Sequence, residues 1–225
     1  YGGTLLPVPL RHQTEATPLE YHGNNSIENI LTTHRISFIS CCPEDNTEEP
    51  DKMNSAEAEI IADIVCTQYN MIMQQDNDNA TDALNVNKSI GIIVPYRNQI
   101  STVRNAIDRR IEESGLPETL HDITIDTVER YQGSQRDLII YGFTIKKYYQ
   151  LSFLTDNEYY DETEDATIDR KLNVAMTRAR KHLVMVGNAQ LLSNDFTFKR
   201  LIEYTKEEKC FFTIQNIQER EDLLK

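Results

Sequence analysis

Short apolar runs alternate with stretches of helical periodicity through most of the chain. A continuous apolar run predicts a buried strand, and such runs lie at 35–41, 89–95, 122–128, 138–143 and 183–186. Between them, apolar residues recur every three or four positions, which predicts helices that begin at cap residues such as Ser55 and Asn194. This alternation predicts an α/β fold with a mostly parallel sheet and helices on both faces.

The stretch 172–188 combines both patterns without a loop between them. Apolar residues at helical spacing up to Ala179 predict one buried helix face, and the run 183–186 predicts a core strand. Such a helix would hold Arg178 rigidly beside the sheet. A guanidinium ion suits phosphate, because its planar fork matches two oxygens and it stays charged. A solvated basic helix face is the alternative interpretation.

The run 89–95 leads directly into Tyr96 and a following helix. A strand that passes straight into a helix places Tyr96 at the carboxyl edge of the sheet, where ligands of open α/β sheets bind. An aromatic residue that simply packs at the end of a strand is the alternative interpretation. The next strand is followed by a turn that contains Gly133.

Charge and composition restrict the partners of this chain. Its 225 residues carry a net charge of −13, which argues against non-specific nucleic-acid binding by bulk charge. The segment 155–169 holds seven acidic residues and no basic one, and it predicts a solvated loop, while basic residues gather at 97–110 and 170–181. A local basic surface within an acidic chain can therefore still bind phosphate.

The compartment follows from the cysteines and from hydropathy. Four cysteines show no metal-ligand spacing, and adjacent Cys41 and Cys42 would pair poorly, which favours a reduced, cytoplasmic protein. No stretch approaches the roughly 20 apolar residues of a membrane span, so no membrane partner is expected. The first residue is Tyr1 rather than Met, so we expect a piece of a longer protein.

The chain contains no Gly-x-x-x-x-Gly-Lys-Ser/Thr loop, which is the usual phosphate cradle of ATP hydrolysis. It also has no hydrophobic strand that ends in paired acids suited to magnesium. A phosphate-compatible arginine without a phosphate loop predicts half of a nucleotide site, with the other half elsewhere.

Three blocks of sequence resemble superfamily 1 helicases of the Upf1-like and DNA2-like type. The block SIGIIVPYRNQ at 89–99 is similar to their strand-and-turn block, IDTVERYQGSQRD at 125–137 to their motif V, and LNVAMTRAR at 172–180 to their motif VI. The segment 1–5 also resembles the residues just after their motif IV. The blocks stand in the order and roughly the spacing of that family, over nearly the whole chain.

The resemblance implies the second RecA-like domain of a helicase, at 31–210, between a lead-in segment at 1–30 and a tail at 211–225. In that family ATP and Mg²⁺ are bound mainly by a preceding domain. Arg178 would then be an arginine finger on the γ-phosphate, and Gly133 and Gln135 would contact the nucleotide. The family usually has Glu where this chain has Gln135, which removes any role that depends on charge.

The resemblance also implies contact with single-stranded nucleic acid. Pro95, Tyr96 and Thr127 match positions that touch the backbone or bases of the strand, and DNA is favoured over RNA as the partner. The second expected partner is the first RecA-like domain of the same protein. Two hypotheses remain open: the motor domain of an ATP-dependent helicase, and a non-catalytic RecA-like module for binding or regulation.

The missing phosphate loop predicts that the 225-residue chain alone does not hydrolyse ATP. The measurement is phosphate release by the purified chain, with and without a single strand. Turnover that Arg178→Ala abolishes would contradict the interpretation of the chain as half of a site.

Overall fold

A computed structural model describes residues 26–41, 50–75, 86–131, 135–156, 158–162 and 166–214. Eight strands lie in the described part of the chain: β1 (Ile36–Ser40), β2 (Ile90–Ile93), β3 (Thr124–Asp126), β4 (Arg136–Gly142), β5 (Glu158–Asp161), β6 (Ala166–Asp169), β7 (Ala179–Gly187) and β8 (Phe211–Thr213). Six of them form one sheet in the order β3-β2-β4-β7-β1-β8, and every pairing in it is parallel.

The helices cover both faces of this sheet. Their bounds are α1 (Ser26–Thr33), α2 (Ser55–Gln75), α3 (Val86–Ser89), α4 (Arg97–Ser114), α5 (Leu151–Thr155), α6 (Arg170–Met176), α7 (Ala189–Leu192) and α8 (Phe196–Glu207), with short 3-10 helices at Glu118–Asp122 and Tyr148–Gln150. Buried residues of α1 to α4 share one core with the sheet, and those of α5 to α8 share the other. The predicted α/β fold, with a parallel sheet between helices, is therefore confirmed.

Strand β4 shows how one strand serves both cores. Leu138 and Ile140 belong to the core under α2 and α4, whereas Ile139 and Tyr141 belong to the opposite core. Successive side chains of a strand point to opposite faces, so a strand that is buried on both faces needs an unbroken apolar run. This is why the apolar runs located the central strands correctly.

Two helix caps differ by one residue from their predicted positions. The side-chain oxygen of Asn54, rather than Ser55, accepts the Glu57 N–H at 3.0 Å, and Asp195, rather than Asn194, accepts the Phe198 N–H at 3.0 Å. In both caps the side-chain oxygen accepts the N–H of the residue three positions further along the chain, which is the ordinary geometry of a cap. The helix starts themselves lie where the periodicity placed them.

The predicted helix through Ala179 is too long. Helix α6 ends at Met176, and Ala179 is instead the first residue of β7, where it pairs with Arg136 of β4. The Thr177 hydroxyl donates to the Val174 carbonyl at 2.9 Å, so a side chain satisfies a carbonyl at the helix end. The helix therefore ends three residues earlier than the apolar spacing suggested, and sheet pairing begins at Ala179.

The acidic segment 155–169 is not simply a solvated loop. Strands β5 and β6 form an antiparallel hairpin in which Glu158 pairs with Asp169 and Asp161 pairs with Ala166. A cross-strand pair of an aromatic and an apolar residue, Tyr159 opposite Ile168, suits a hairpin despite the acidic charge. The prediction of a loop is therefore corrected for residues 158–161 and 166–169.

The first helix and the last strand of the described chain both belong to the packed domain. Helix α1 contributes Ile27, Ile30 and Leu31 to the core, and β8 pairs with β1 as an edge strand. The boundaries at 30/31 and 210/211 stay a prediction. No helix among the described residues is long and apolar enough to cross a membrane.

A buried carboxylate joins α2 to the carboxyl end of β4. Glu57 is fully buried, and its oxygens accept the Thr144 N–H at 2.8 and 3.0 Å and the Thr144 hydroxyl at 3.2 Å. Thr144 has φ of 61°, a left-handed conformation that costs energy in a β-branched residue. The carboxylate therefore supports a strained residue at the edge that follows β4.

Glu57→Ala should lower the free energy of unfolding by about 2–4 kcal/mol, because it leaves the buried Thr144 N–H without its acceptor. Chemical denaturation of the chain measures this. Glu59→Ala on the same helix is the matched control: its ion pairs with Arg109 and Arg110 are partly exposed, so a loss below about 1 kcal/mol is expected. Equal losses in the two variants would show that the carboxylate does not support Thr144.

Candidate functional site

Arg178 lies in the two-residue turn between α6 and β7, not on the helix as predicted. Its N–H donates to the Ala175 carbonyl at 3.1 Å, which fixes the backbone of the turn. Its side chain bends back over the helix end: Nε donates to the Val174 carbonyl at 3.2 Å and Nη2 to the Thr177 hydroxyl at 3.1 Å. The half-buried guanidinium is therefore held by groups of its own turn, at the amino edge of the sheet.

The start of β4 lies directly beside this turn. The Arg136 N–H donates to the Arg178 carbonyl at 3.0 Å, so the exposed Gln135 and the half-buried Arg178 lie close together at the amino edge. Gly133 lies outside the described residues. Asp137 pairs with Lys181 at 2.9 Å and with Arg180 at 3.8 Å, which keeps these two cations on β7 beside β4.

Tyr131 packs against the start of β4, a role that no sequence pattern indicated. Its hydroxyl donates to the Thr124 carbonyl at 2.7 Å, and the Arg136 guanidinium lies 5.7 Å from its ring centroid. Burial raises the pKa of Tyr131 to about 12, so the hydroxyl remains a donor at neutral pH. The Tyr131 hydroxyl fits at this position because residue 91 is glycine: a Cβ there would lie 2.5 Å from the tyrosine oxygen.

Pro95, Tyr96 and Thr127 lie at the opposite, carboxyl edge of the sheet. Pro95 and Tyr96 follow β2, and Thr127 follows the neighbouring β3. The Thr127 N–H donates to the Asp126 carboxylate at 2.8 Å, and its carbonyl accepts the N–H groups of Arg130 and Tyr131 at 3.1 and 3.2 Å. Adjacent parallel strands thus bring the three predicted strand-binding residues to one edge.

The ring of Tyr96 is buried, with only 7% of its surface exposed. Phe153 of α5 stacks on it, with ring centroids 4.8 Å apart, and the Lys52 ammonium lies 5.9 Å from its centroid. Burial, with a smaller contribution from nearby Tyr149, raises the pKa of Tyr96 above its ordinary value. Stacking of a base on Tyr96 itself stays a prediction, and its covered ring fits the alternative of a packed aromatic.

Phe153 is the exposed aromatic of this stack, and sequence reasoning missed it. It is 41% exposed, and the Lys171 ammonium of α6 lies 4.2 Å from its ring centroid. Tyr149, which is also exposed, donates its hydroxyl to Asp51, and Lys147 pairs with the same carboxylate at 2.8 Å. The cluster of aromatics just after the fourth apolar run was the available signal.

Lys171 links the aromatic stack to Thr127 through a carboxylate. The Lys171 ammonium lies 3.6 Å from Glu129. Burial raises the pKa of the Glu129 carboxyl, but hydrogen bonds from its own backbone and from Thr127, together with Lys171, outweigh burial and hold that pKa below its ordinary value. A lowered carboxyl pKa contributes stability above the ordinary pKa of Glu, and this contribution is lost as the pH falls through the lowered value.

The two groups of candidate residues lie at opposite ends of the sheet. Arg136 pairs with Ala179 at the amino edge, and Tyr141, five residues further along β4, pairs with Ile93 at the end of β2. At about 3.3 Å per residue this separation is roughly 16 Å. The fold therefore offers two separate surfaces, one around Arg178 and one around Phe153. Among the described residues, no group of three His, Cys, Asp or Glu could hold a metal ion.

These features define the class of parallel α/β domains that carry side chains suited to ligand binding at both edges of the sheet. A family model described as an AAA domain matches residues 9–190, and the chain belongs to this family. The chain is 28% identical to MOV-10 of Gallus gallus over 186 residues, which cover 78% of this chain and 18% of that protein.

Two further relatives carry the word helicase in their names. The chain is 34% identical over 135 residues to DNA polymerase alpha-associated DNA helicase A of Saccharomyces cerevisiae, covering 58% of this chain and 17% of that protein. It is 30% identical over 138 residues to the helicase sen1 of Schizosaccharomyces pombe, covering 60% and 7%. The predicted resemblance to superfamily 1 helicases is confirmed, and the chain spans less than a fifth of each of these relatives.

Lys171→Met should raise the pKa of Glu129, because it removes a positive charge and a hydrogen-bond donor while the burial that raises this pKa remains. Titration of the glutamate side-chain carboxyl signals by NMR measures this. Lys199→Met, which removes an ion-pair partner of Glu203 on α8, is the control and should leave Glu129 unchanged. A Glu129 titration that is the same in both variants would show that Lys171 does not stabilise the carboxylate.

Proposed function

We propose that this chain is the second motor domain of an ATP-dependent nucleic-acid helicase. The observation that carries the proposal is the position of Arg178, whose turn is hydrogen-bonded to the start of β4 next to Gln135. Membership of the AAA domain family and the likeness to named helicases support it. The domain would act with a first RecA-like domain, which binds most of ATP and Mg²⁺.

In this proposal Arg178 is the arginine finger. Its backbone is fixed by the turn, while within the described ranges its side chain donates to a backbone carbonyl and to a hydroxyl. Those neutral partners are weaker than a phosphate, since bonds between two charged groups are roughly twice as strong. Closure of the two domains around ATP would draw the guanidinium to the γ-phosphate, where it stabilises the charge of the transition state.

Gln135 and Gly133 would contact the nucleotide from the same edge. Gln135 is exposed at the start of β4, and its amide can donate to or accept from ribose or phosphate oxygens. Gly133 would let the preceding turn approach the nucleotide closely. Because Gln135 is neutral, it cannot replace the charge that the family's usual Glu supplies.

The opposite edge would hold the single strand. Pro95, Tyr96 and Thr127 surround the ends of β2 and β3, and Lys52 and Lys171 supply positive charge there. Phosphate contacts position a strand without reading its sequence, so this edge would grip the backbone during each cycle of domain closure. We favour DNA over RNA as the strand, and a reducing, cytoplasmic compartment agrees with the free thiols of Cys41, Cys66 and Cys210.

The second candidate is a non-catalytic RecA-like module for binding or regulation. The observation in its favour is that the Arg178 guanidinium folds back and donates to the Val174 carbonyl and the Thr177 hydroxyl at the end of α6. In this arrangement the side chain has hydrogen-bond partners without any nucleotide. The two candidates differ in ATP turnover by the protein that carries this domain together with a first motor domain.

Arg178→Ala should slow strand-stimulated ATP hydrolysis by that protein about 10³-fold or more, the usual effect of removing an arginine finger. Arg178→Lys should restore little activity, because an ammonium lacks the planar fork. Thermal melting and single-strand affinity should stay near the wild type. Arg180→Ala, which removes a neighbouring exposed cation of β7, is the matched control. Near wild-type turnover of Arg178→Ala would contradict the proposal and favour the non-catalytic module.

A further inference from the structure

The carboxyl edge carries a layered stack of side chains around Phe153. Tyr96 lies against one face of the Phe153 ring, with an angle of 27° between the ring planes. A stacked ring and an ammonium cannot share one face, so Lys171, 4.2 Å from the centroid, lies against the other. The buried Tyr96 therefore serves as the base of the stack, and Phe153 is its outermost ring.

In the described part of the chain, the long side chain of Lys171 lies over the outer face of the Phe153 ring. Lys171 also has a second partner, Glu129, at 3.6 Å, and that carboxylate in turn accepts a hydrogen bond from Thr127. A cation–π contact holds an ammonium less tightly than a charge-assisted pair with a phosphate, so a ligand that offers both a π-face and a negative charge can compete for the ring and the ammonium together.

We propose that Phe153 is the base-stacking platform of this edge, and that Lys171 leaves its ring to pair with a backbone phosphate when a single strand binds. A nucleobase would then lie on the face that Lys171 vacates, in line with the Phe153 and Tyr96 rings. The inference rests on the proposed function and assigns the base contact to Phe153 instead of Tyr96.

A single strand is the occupant that fits the charge and shape of this surface. Lys52 and Lys171 lie over the two rings of the stack, and Tyr149 adds a third aromatic side chain beside Tyr96. Aromatic rings interleaved with cations match a chain in which flat bases alternate with phosphates. Binding would be tolerant of sequence, because every base presents a π-face.

The test compares two strands and uses the protein that carries this domain with its first motor domain. The probes are a fluorescent oligothymidylate and an abasic deoxyribose-phosphate strand of the same length, and anisotropy gives the Kd of each. Phe153→Ala should weaken binding of oligothymidylate about tenfold and leave binding of the abasic strand unchanged. Phe153→Leu, which keeps apolar packing on Tyr96, should show the same selective loss with an unchanged melting temperature.

Phe196→Ala is the matched control, since Phe196 is 64% exposed on α8 and also has a cation, Arg200, over its ring. It should change neither Kd. Lys171→Met should reduce the salt dependence of binding by about one phosphate contact, on both strands alike.

The outcomes separate this inference from the function on which it rests. Strand binding and strand-stimulated ATP turnover that survive Phe153→Ala and Phe153→Leu with unchanged affinity for oligothymidylate would overturn the platform and leave the proposed function in place. Equal losses on the base-containing and abasic strands would also overturn it, because they would indicate a loss of structure or charge rather than of stacking. If the wild-type protein neither binds a strand nor responds to one in turnover, the proposed function fails, and the platform fails with it.

Discussion

The parallel pairing of β4 with β7 is the constraint on which the rest of the molecule depends. These are the two central strands of the sheet, and their pairing runs from Arg136 beside Ala179 to Gly142 beside Val186. The pairing begins with the bond from the Arg136 N–H to the Arg178 carbonyl. It therefore determines that motif VI and the end of motif V meet at one edge of the sheet, whatever the surrounding loops do.

The same pairing separates the two candidate surfaces. Because the strands are parallel, residues that precede β4 and β7 lie at one edge and residues that follow β2 and β3 lie at the other. Helix α6 spans the distance between them: Lys171 in its first turn reaches the aromatic stack, and Arg178 follows its last turn. A single short helix thus connects the proposed strand surface with the proposed nucleotide surface. Rigid connection of this kind is what a motor needs if nucleotide-driven closure is to move a strand.

Much of the fold could be predicted because the central strands are buried on both faces. Burial on both faces requires continuous apolar runs, and these are visible in the sequence without any knowledge of partners. The end of α6 could not be predicted in this way, because Ala179 is packed against the same core whether it continues a helix or starts a strand. Its pairing with Arg136, more than forty residues away in the chain, decides between the two.

The site was predictable only in part, for the same reason. Motif resemblance located Arg178 and Tyr96, but it could not indicate that Phe153 would cover Tyr96, since that contact joins residues from different elements. The contacts of Asp51 could not be predicted either, because its partners Lys147 and Tyr149 lie almost one hundred residues away in the sequence. Side chains that meet through tertiary packing leave no periodic signal. The sequence therefore shows a cluster of aromatic residues after the fourth apolar run, but only the fold shows that Phe153 stacks on Tyr96.

In the proposed function, one edge of the sheet serves the nucleotide and the opposite edge serves the strand. Photo-crosslinking tests it most directly, with an azido-ATP and a thiothymidine-containing single strand bound to the same protein and the adducts located by mass spectrometry. We expect nucleotide adducts near Gln135 or Arg178, and strand adducts near Tyr96, Thr127 or Phe153. Strand adducts near Arg178, or nucleotide adducts near Phe153, would contradict it.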